Sequence, residues 1–128
     1  KTLLAEDGVK VEVARLEWGS EDDHAALLAG GAAQFDLIVG SDVVIAGFDT
    51  DKLMRSCSAL AARTADARVL IAMEFREDWE TIGNFIGWAE EAGWVVTHQS
   101  LGGDGEDSDD EAHGGDMFLY SLKRESVA

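Results

Sequence analysis

FDLIVGSDVVI, residues 35 to 45, is the stretch on which the fold turns. Its first part, DLIVGS at 36 to 41, is a continuous apolar run after a polar turn, the pattern of a strand covered on both faces. The run breaks at Gly40, Ser41 and Asp42 before two valines and an isoleucine resume it, so a carboxylate stands where a buried strand ends. Downstream, a helix is predicted from Asp49 or Thr50 to about Arg63, with Leu53, Met54, Cys57, Leu60 and Ala61 on one face. ARVLIAME (67 to 74) reads as a second buried strand. Asp78 can cap a helix running through Glu91, with Ile82, Phe85, Ile86 and Ala89 inward and Gly93 as its stop. WVVTHQSL (94 to 101) and DMFLYSLKRE (116 to 125) then follow as two strands with no helix between them. Upstream, VKVEVARL (9 to 16) alternates Val9, Val11 and Val13 with polar residues, the period of a strand with one more buried face. In EWGSEDDHAALLAGG, Ser20 and Asp23 have capping-box spacing for a short helix that Gly30-Gly31 ends. Strand and helix alternate until the final strand pair, which predicts an α/β fold with a mainly parallel sheet closing in an antiparallel C-terminal strand pair.

With 128 residues, 46% of them hydrophobic, the chain suits one domain with a real core. Its 26 acidic against 10 basic residues give a net charge of −16. Like charge repels a nucleic-acid backbone, so no nucleic-acid partner is expected, and a basic protein segment or a cationic small molecule fits better. The same acidity also serves solubility alone. A single cysteine, Cys57, excludes an internal disulfide and suits a reducing compartment; its helical spacing from Leu53 and Leu60 makes it core filling. No apolar run approaches the ~20 residues needed to cross a bilayer. No membrane contact is expected, and the cytoplasm or the nucleus is the expected location. His24, His98 and His113 have no ligand-spaced partner, so no metal site is expected. GGDGEDSDD (102 to 110) is close to a calcium-binding nonapeptide, but Asp109 replaces its apolar residue and the motif occurs once where stacked repeats are needed. Residues 102 to 116 read as an acidic glycine-rich loop.

Three motifs carry a resemblance. They are Leu16-Glu17-Trp18-Gly19 after the first strand, Phe35-Asp36-Leu37-Ile38-Val39-Gly40-Ser41-Asp42-Val43-Val44, and Val69-Leu70-Ile71-Ala72 followed by Glu74 and Arg76. Together they resemble the seven-strand S-adenosylmethionine-dependent methyltransferases, and within them the methyltransferase-like protein-lysine group, with its L-x-W-G and G-A-D-V-V-Y steps. Phe118-Leu119-Tyr120-Ser121-Leu122-Lys123 suits that group's last strand. The resemblance covers nearly the whole chain but only the second half of such an enzyme. It implies a Rossmann-like sheet whose full strand order is 3-2-1-4-5-7-6, with residues 9 to 16 as the third strand and 36 to 41 as the fourth. The first two strands of the full fold, with the glycine-rich loop, are then missing. Residues 1 to 128 are accordingly expected to be the C-terminal part of a single methyltransferase domain that binds S-adenosylmethionine weakly or not at all by itself and self-associates through a bare edge.

The resemblance also assigns roles. In doubly wound sheets a ligand lies outside the carboxyl ends of the strands, which is where the Gly40-Ser41-Asp42 break falls. Gly40 permits close backbone approach, Ser41 lines the cofactor, and Asp42 aligns the acceptor amine as the catalytic carboxylate. The residues alone equally allow Asp42 an Asx turn or a helix cap. Trp18 packs on the adenine in this reading, or is hydrophobic packing taken alone, with Glu17 and Gly19 reaching the adenine edge. The tyrosine position of the family holds Ile45, which removes a hydroxyl contact to substrate. Glu74 and Arg76 either pair beside the acceptor cleft or form a solvated turn, and Phe75 and Trp79 either line a lysine channel or pack in the core. The implied activity is methyl transfer to a lysine side chain of a protein substrate. The alternative is a noncatalytic α/β interaction module derived from a methyltransferase, and a small-molecule or nucleic-acid methyltransferase of the same fold is a third reading.

Overall fold

The computed structural model describes residues 2–4, 8, 10–28, 35–74, 79–101 and 117–124. Their elements run β1 (Thr2–Leu4), β2 (Lys10–Glu12), α1 (Glu21–Leu28), β3 (Leu37–Ser41), α2 (Thr50–Leu60), β4 (Arg68–Glu74), α3 (Trp79–Glu91), β5 (Trp94–Ser100) and β6 (Met117–Arg124). The expectations for Gly30-Gly31, Phe75, Arg76, Asp78, His113 and the loop at 102 to 116 lie outside the described residues.

The architecture is mixed α/β around one four-stranded sheet of order β3-β4-β6-β5. β3 and β4 are parallel, from Leu37 opposite Arg68 to Ser41 opposite Ala72. β6 lies between β4 and β5 and is antiparallel to both, with Tyr120 opposite Ile71 on one side and His98 on the other. Hence β3, β4 and β5 share one direction and β6 alone is reversed. The antiparallel C-terminal pair is present, with its second member inside the sheet, but one of the three pairings in this sheet is parallel, so the sheet is mixed and not mainly parallel as expected.

Alternation decides which face is covered. Along β4, Val69, Ile71 and Met73 are buried while Arg68, Leu70, Ala72 and Glu74 are half-exposed. The buried set forms one core with Leu53, Met54 and Cys57 of α2 and with Ile82, Phe85 and Ala89 of α3. Those helical positions recur at three- and four-residue intervals, as the sequence requires of amphipathic helices, so both helices lie on that one face. α3 ends where Gly93 takes a φ of +96° and donates its N–H to the Glu90 carbonyl. The C-terminal end of α2 is tied to β6 by Arg124. Its Nε–H donates to the Ala62 carbonyl and its Nη2 to the carbonyls of Ser58 and Ala61, satisfying groups that a helix end leaves unpaired. The same guanidinium sits 4.3 Å from the centre of the buried Trp94 ring.

Two further expectations are corrected. The strand expected at 9 to 16 is only Lys10–Glu12, and it pairs with β1 in a separate two-stranded antiparallel sheet. Val11 is exposed and Val13 is 59% exposed, so the alternation there does not mark a buried face. A three-residue hairpin has no sheet face broad enough to bury those side chains. The stretch 36 to 41 is not covered on both faces: Leu37 is 55% and Val39 67% exposed, because α2 and α3 occupy the same side of the sheet. An apolar run records only that both faces tolerate burial; what lies over them is settled elsewhere in the chain. No described helix is long and apolar enough to cross a membrane.

Candidate functional site

The polar break after β3 builds a tight junction with β4. The Asp42 N–H donates to the Ala72 carbonyl at 2.8 Å, and Asp42 Oδ1 accepts from the Glu74 N–H at 3.2 Å. Asp42 has a φ of 56°, the one positive value among the described non-glycine residues. Aspartate tolerates this left-handed backbone better than most residues because its short polar side chain bonds locally, yet it is still a strained placement. The carboxylate therefore has a structural task, joining the carboxyl ends of two neighbouring parallel strands, and it is half-buried at the place where such sheets bind ligands.

A second construction lies around Trp18. The Ser20 N–H donates to the Glu17 carbonyl, closing a turn in which Gly19 takes φ +81° at the third position, the geometry that demands glycine in a type II turn. A β-carbon on Gly19 would also stand 3.0 Å from Lys52 Cβ. Ser20 caps α1 as its spacing predicts, its Oγ accepting from the Asp23 N–H at 3.1 Å. The Asp23 carboxylate does not return to Ser20. It reaches further back and accepts from the Glu17 N–H at 2.7 Å, bracing the turn from the other side. The Gly19 N–H donates to Ser56 Oγ of α2 at 2.9 Å, and that hydroxyl is 2.7 Å from His24 Nε2.

Trp18 emerges from this turn half-buried, packed on the core and edge-on to Phe48 with ring centres 6.2 Å apart. It borders two hollows. One, of about 170 Å³, is almost wholly apolar and is walled by Trp18, Ile38, Gly40, Val43, Leu53 and Cys57 among others. The other, of about 410 Å³, opens between Trp18, Phe48, Glu17 and Lys52. The smaller hollow has room for a planar aromatic base and not for a whole nucleoside joined to an amino acid. Its apolar wall and the bordering indole suit such a base.

Of the expected site residues, Trp18 and Gly40 are brought together in one wall. Ser41 is exposed and alternates to the sheet face opposite Gly40, and neither it nor Asp42 lines either hollow. Glu74 meets the site through its backbone, at the Asp42 carboxylate. Trp79 is largely exposed at the start of α3 and does not pack in the core. Cys57 is core, as its spacing predicts, and burial pushes its thiol from 9.0 up to about 12, so it stays protonated and is no nucleophile. Phe48, Val43, His24 and Ser56 belong to the site without having been singled out. Phe48 reaches Trp18 only after the loop from Asp42 to Asp49 folds back, and nothing in local spacing records that. The chain matches no known protein-family model, and no curated protein matches it.

Proposed function

We propose that this chain is the acceptor-side part of a seven-strand S-adenosylmethionine-dependent methyltransferase with a Rossmann-like sheet, acting on a lysine side chain of a protein. The observation that carries the reading is the insertion of a reversed β6 between β4 and β5. The order β3-β4-β6-β5 agrees with the 4-5-7-6 half of that family's sheet, a permutation unlike the nearest-neighbour order that consecutive strands favour. On this reading the Trp18 turn would serve the donor base and Asp42 the acceptor amine.

When bound, S-adenosylmethionine supplies an electrophilic methyl carbon on a sulfonium. The Trp18 indole and the apolar wall of Gly40 and Val43 would hold its base. Asp42, beside them at the strand end, accepts a hydrogen bond from the acceptor lysine and fixes its approach. Alignment is the main demand: the amine, its proton lost to solvent, would have to meet the methyl carbon in line with the carbon–sulfur bond that breaks, the thioether being the leaving group. No strong base is needed for this alignment. The acidic surface favours the approach of a basic protein segment. This reading places the chain in the cytoplasm or nucleus, where protein lysines are accessible to it.

A noncatalytic interaction module is the second reading, favoured by one observation: Asp42 Oδ1 is already engaged at the Glu74 N–H, which gives the carboxylate a reason to exist without chemistry. A heteronuclear NMR titration with adenosine and with S-adenosylhomocysteine separates the two. Weak, fast-exchange shifts at the Trp18 indole and the Gly40 and Val43 amides support the donor site. Saturable shifts elsewhere in the chain, with none at Trp18, Gly40 or Val43, refute it.

A further inference from the structure

We propose that His24 and Ser56 are positioning residues: together they set the height of the Trp18 indole over the apolar hollow by gripping the neighbouring Gly19 amide. The inference rests on the reading of Trp18 as the base-contacting residue for its functional meaning, but its geometry stands without that reading.

His24 is the one buried residue of α1 and is 8% exposed, in a helix whose first turn is Glu21, Asp22 and Asp23 and whose alanines are exposed. α1 is thus not docked by an apolar stripe; its buried contact with α2 is polar. Ser56 is 3% exposed on α2, too enclosed to act as a nucleophile on a protein or other large substrate. Its Oγ is the meeting point of three elements: it accepts the Gly19 N–H at 2.9 Å, lies 2.7 Å from His24 Nε2, and is carried by the helix that walls the hollow. A hydroxyl has one proton and two lone pairs, so it serves both partners in either imidazole tautomer. Buried polar groups of this kind are costly to leave unpaired, which makes the arrangement nearly all-or-none. Gly19 is itself tightly placed against Lys52, so the turn has little freedom to slide along α2 while the bond holds. Releasing it frees Trp18, the residue immediately before Gly19 in the chain.

The sequence gives no motif for this. His24 and Ser56 are 32 positions apart, and an isolated histidine in an acidic helix or a serine inside an amphipathic one reads as surface.

Three variants of the whole chain test the proposal: Ser56→Ala, His24→Leu and His24→Gln, the last because a glutamine amide nitrogen or oxygen can occupy the place of Nε2. The first readout needs no ligand. Hydrogen exchange of the Gly19 amide should rise about five- to tenfold in Ser56→Ala and His24→Leu, the loss expected of one hydrogen bond, while amides in the middle of β4 keep their protection. The Trp18 indole N–H resonance, assigned with Trp18→Phe, should move in both and return toward its original position in His24→Gln. The second readout is adenosine affinity, which should fall in the two disrupting variants and recover in His24→Gln. If His24→Leu does not fold, Ser56→Ala, which removes only an oxygen, still decides. A lowered melting temperature with Gly19 exchange and the Trp18 resonance unchanged overturns the proposal and makes the pair simple core. Should Trp18 move as expected while every variant binds adenosine equally, positioning stands and the donor-site reading falls.

Discussion

Replacing Asp42 by asparagine, glycine and alanine separates the strain at this position from the bond its carboxylate makes. Alanine removes the acceptor of the Glu74 N–H and must also adopt φ 56° without a polar side chain to stabilise it. The lost bond is worth about 1 kcal/mol at a half-buried site. The left-handed backbone costs an ordinary L-residue about 1 kcal/mol more. Asp42→Ala should therefore lose about 2 kcal/mol, the sum of those two terms. Glycine loses the bond but adopts the backbone freely, so Asp42→Gly should lose about 1 kcal/mol. Asparagine keeps a carbonyl oxygen in place of Oδ1 and tolerates the left-handed region, so Asp42→Asn should stay within about 0.5 kcal/mol of the original chain. Urea denaturation with a common slope measures all three, and thermal melts should separate them by roughly 4 °C per kcal/mol for a chain of this size. Glycine less stable than alanine would refute the strain argument, and alanine as stable as asparagine would refute the bond. The series also tests chemistry. Under the proposed function, and in an enzyme that also carries the donor-binding half, Asp42→Ala lowers the methylation rate by ~10² or more with donor affinity held within a few fold. Asp42→Asn should show a comparable loss on an intact fold, since it removes the charge that orients the amine; turnover equal to the original would leave Asp42 as a strand junction only.

Trp18→Ala should weaken adenosine binding in calorimetric titration with a modest fall in melting temperature; a large loss of fold with no separate binding defect would make Trp18 core. Gly40→Ala places a β-carbon 3.2 Å from Ile71 Cδ1 and 3.3 Å from Val43 Cγ2, so both methyls must give way at a cost of about 1 kcal/mol, and the narrowed hollow should no longer accept a base in the same titration. Arg68 N–H donating to Asp36 and Asp42 N–H donating to Ala72 turn the backbone groups of Leu37, Val39 and Ser41 away from β4, so among the described residues β3 is an apolar edge strand, and Val39→Lys should reduce self-association seen by light scattering; an unchanged mass distribution would clear β3 of that role. The buried Cys57 thiol keeps its proton up to about 12 in the folded chain, while an unfolded thiol ionises near 9.0. Its contribution is complete below 9.0 and is lost as pH rises toward about 12, because over that range the folded state binds the extra proton. Denaturation midpoints at pH 8 and pH 10 should fall more in the original chain than in Cys57→Ala, and equal falls would contradict this.

What the sequence determined by itself is the local layer. The spacing of Leu53, Met54, Cys57 and Leu60 defined α2 and the side it buries, and that of Ile82, Phe85 and Ala89 did the same for α3, because a helix repeats every 3.6 residues whatever it packs against. The strand in ARVLIAME, the cap at Ser20 and the stop at Gly93 were legible for the same reason: each is decided by neighbours within a few positions. At the site, Asp42 and Trp18 were legible as interruptions of an apolar pattern, and the tertiary structure alone decided what they touch. Val11 and Val13 alternate as well as Val69 and Ile71 do, yet the first pair is exposed and the second buried, since alternation states which residues share a face and not whether anything covers it. β3 is apolar throughout, but two helices on one side leave Leu37 and Val39 in solvent. The pairing of β6 with β4, and the bonds that bring Gly19 and His24 to the Ser56 hydroxyl, join residues more than thirty positions apart. Such contacts are chosen by the packing of the whole chain, because the free energy that makes them comes from surfaces that exist only once the elements have docked.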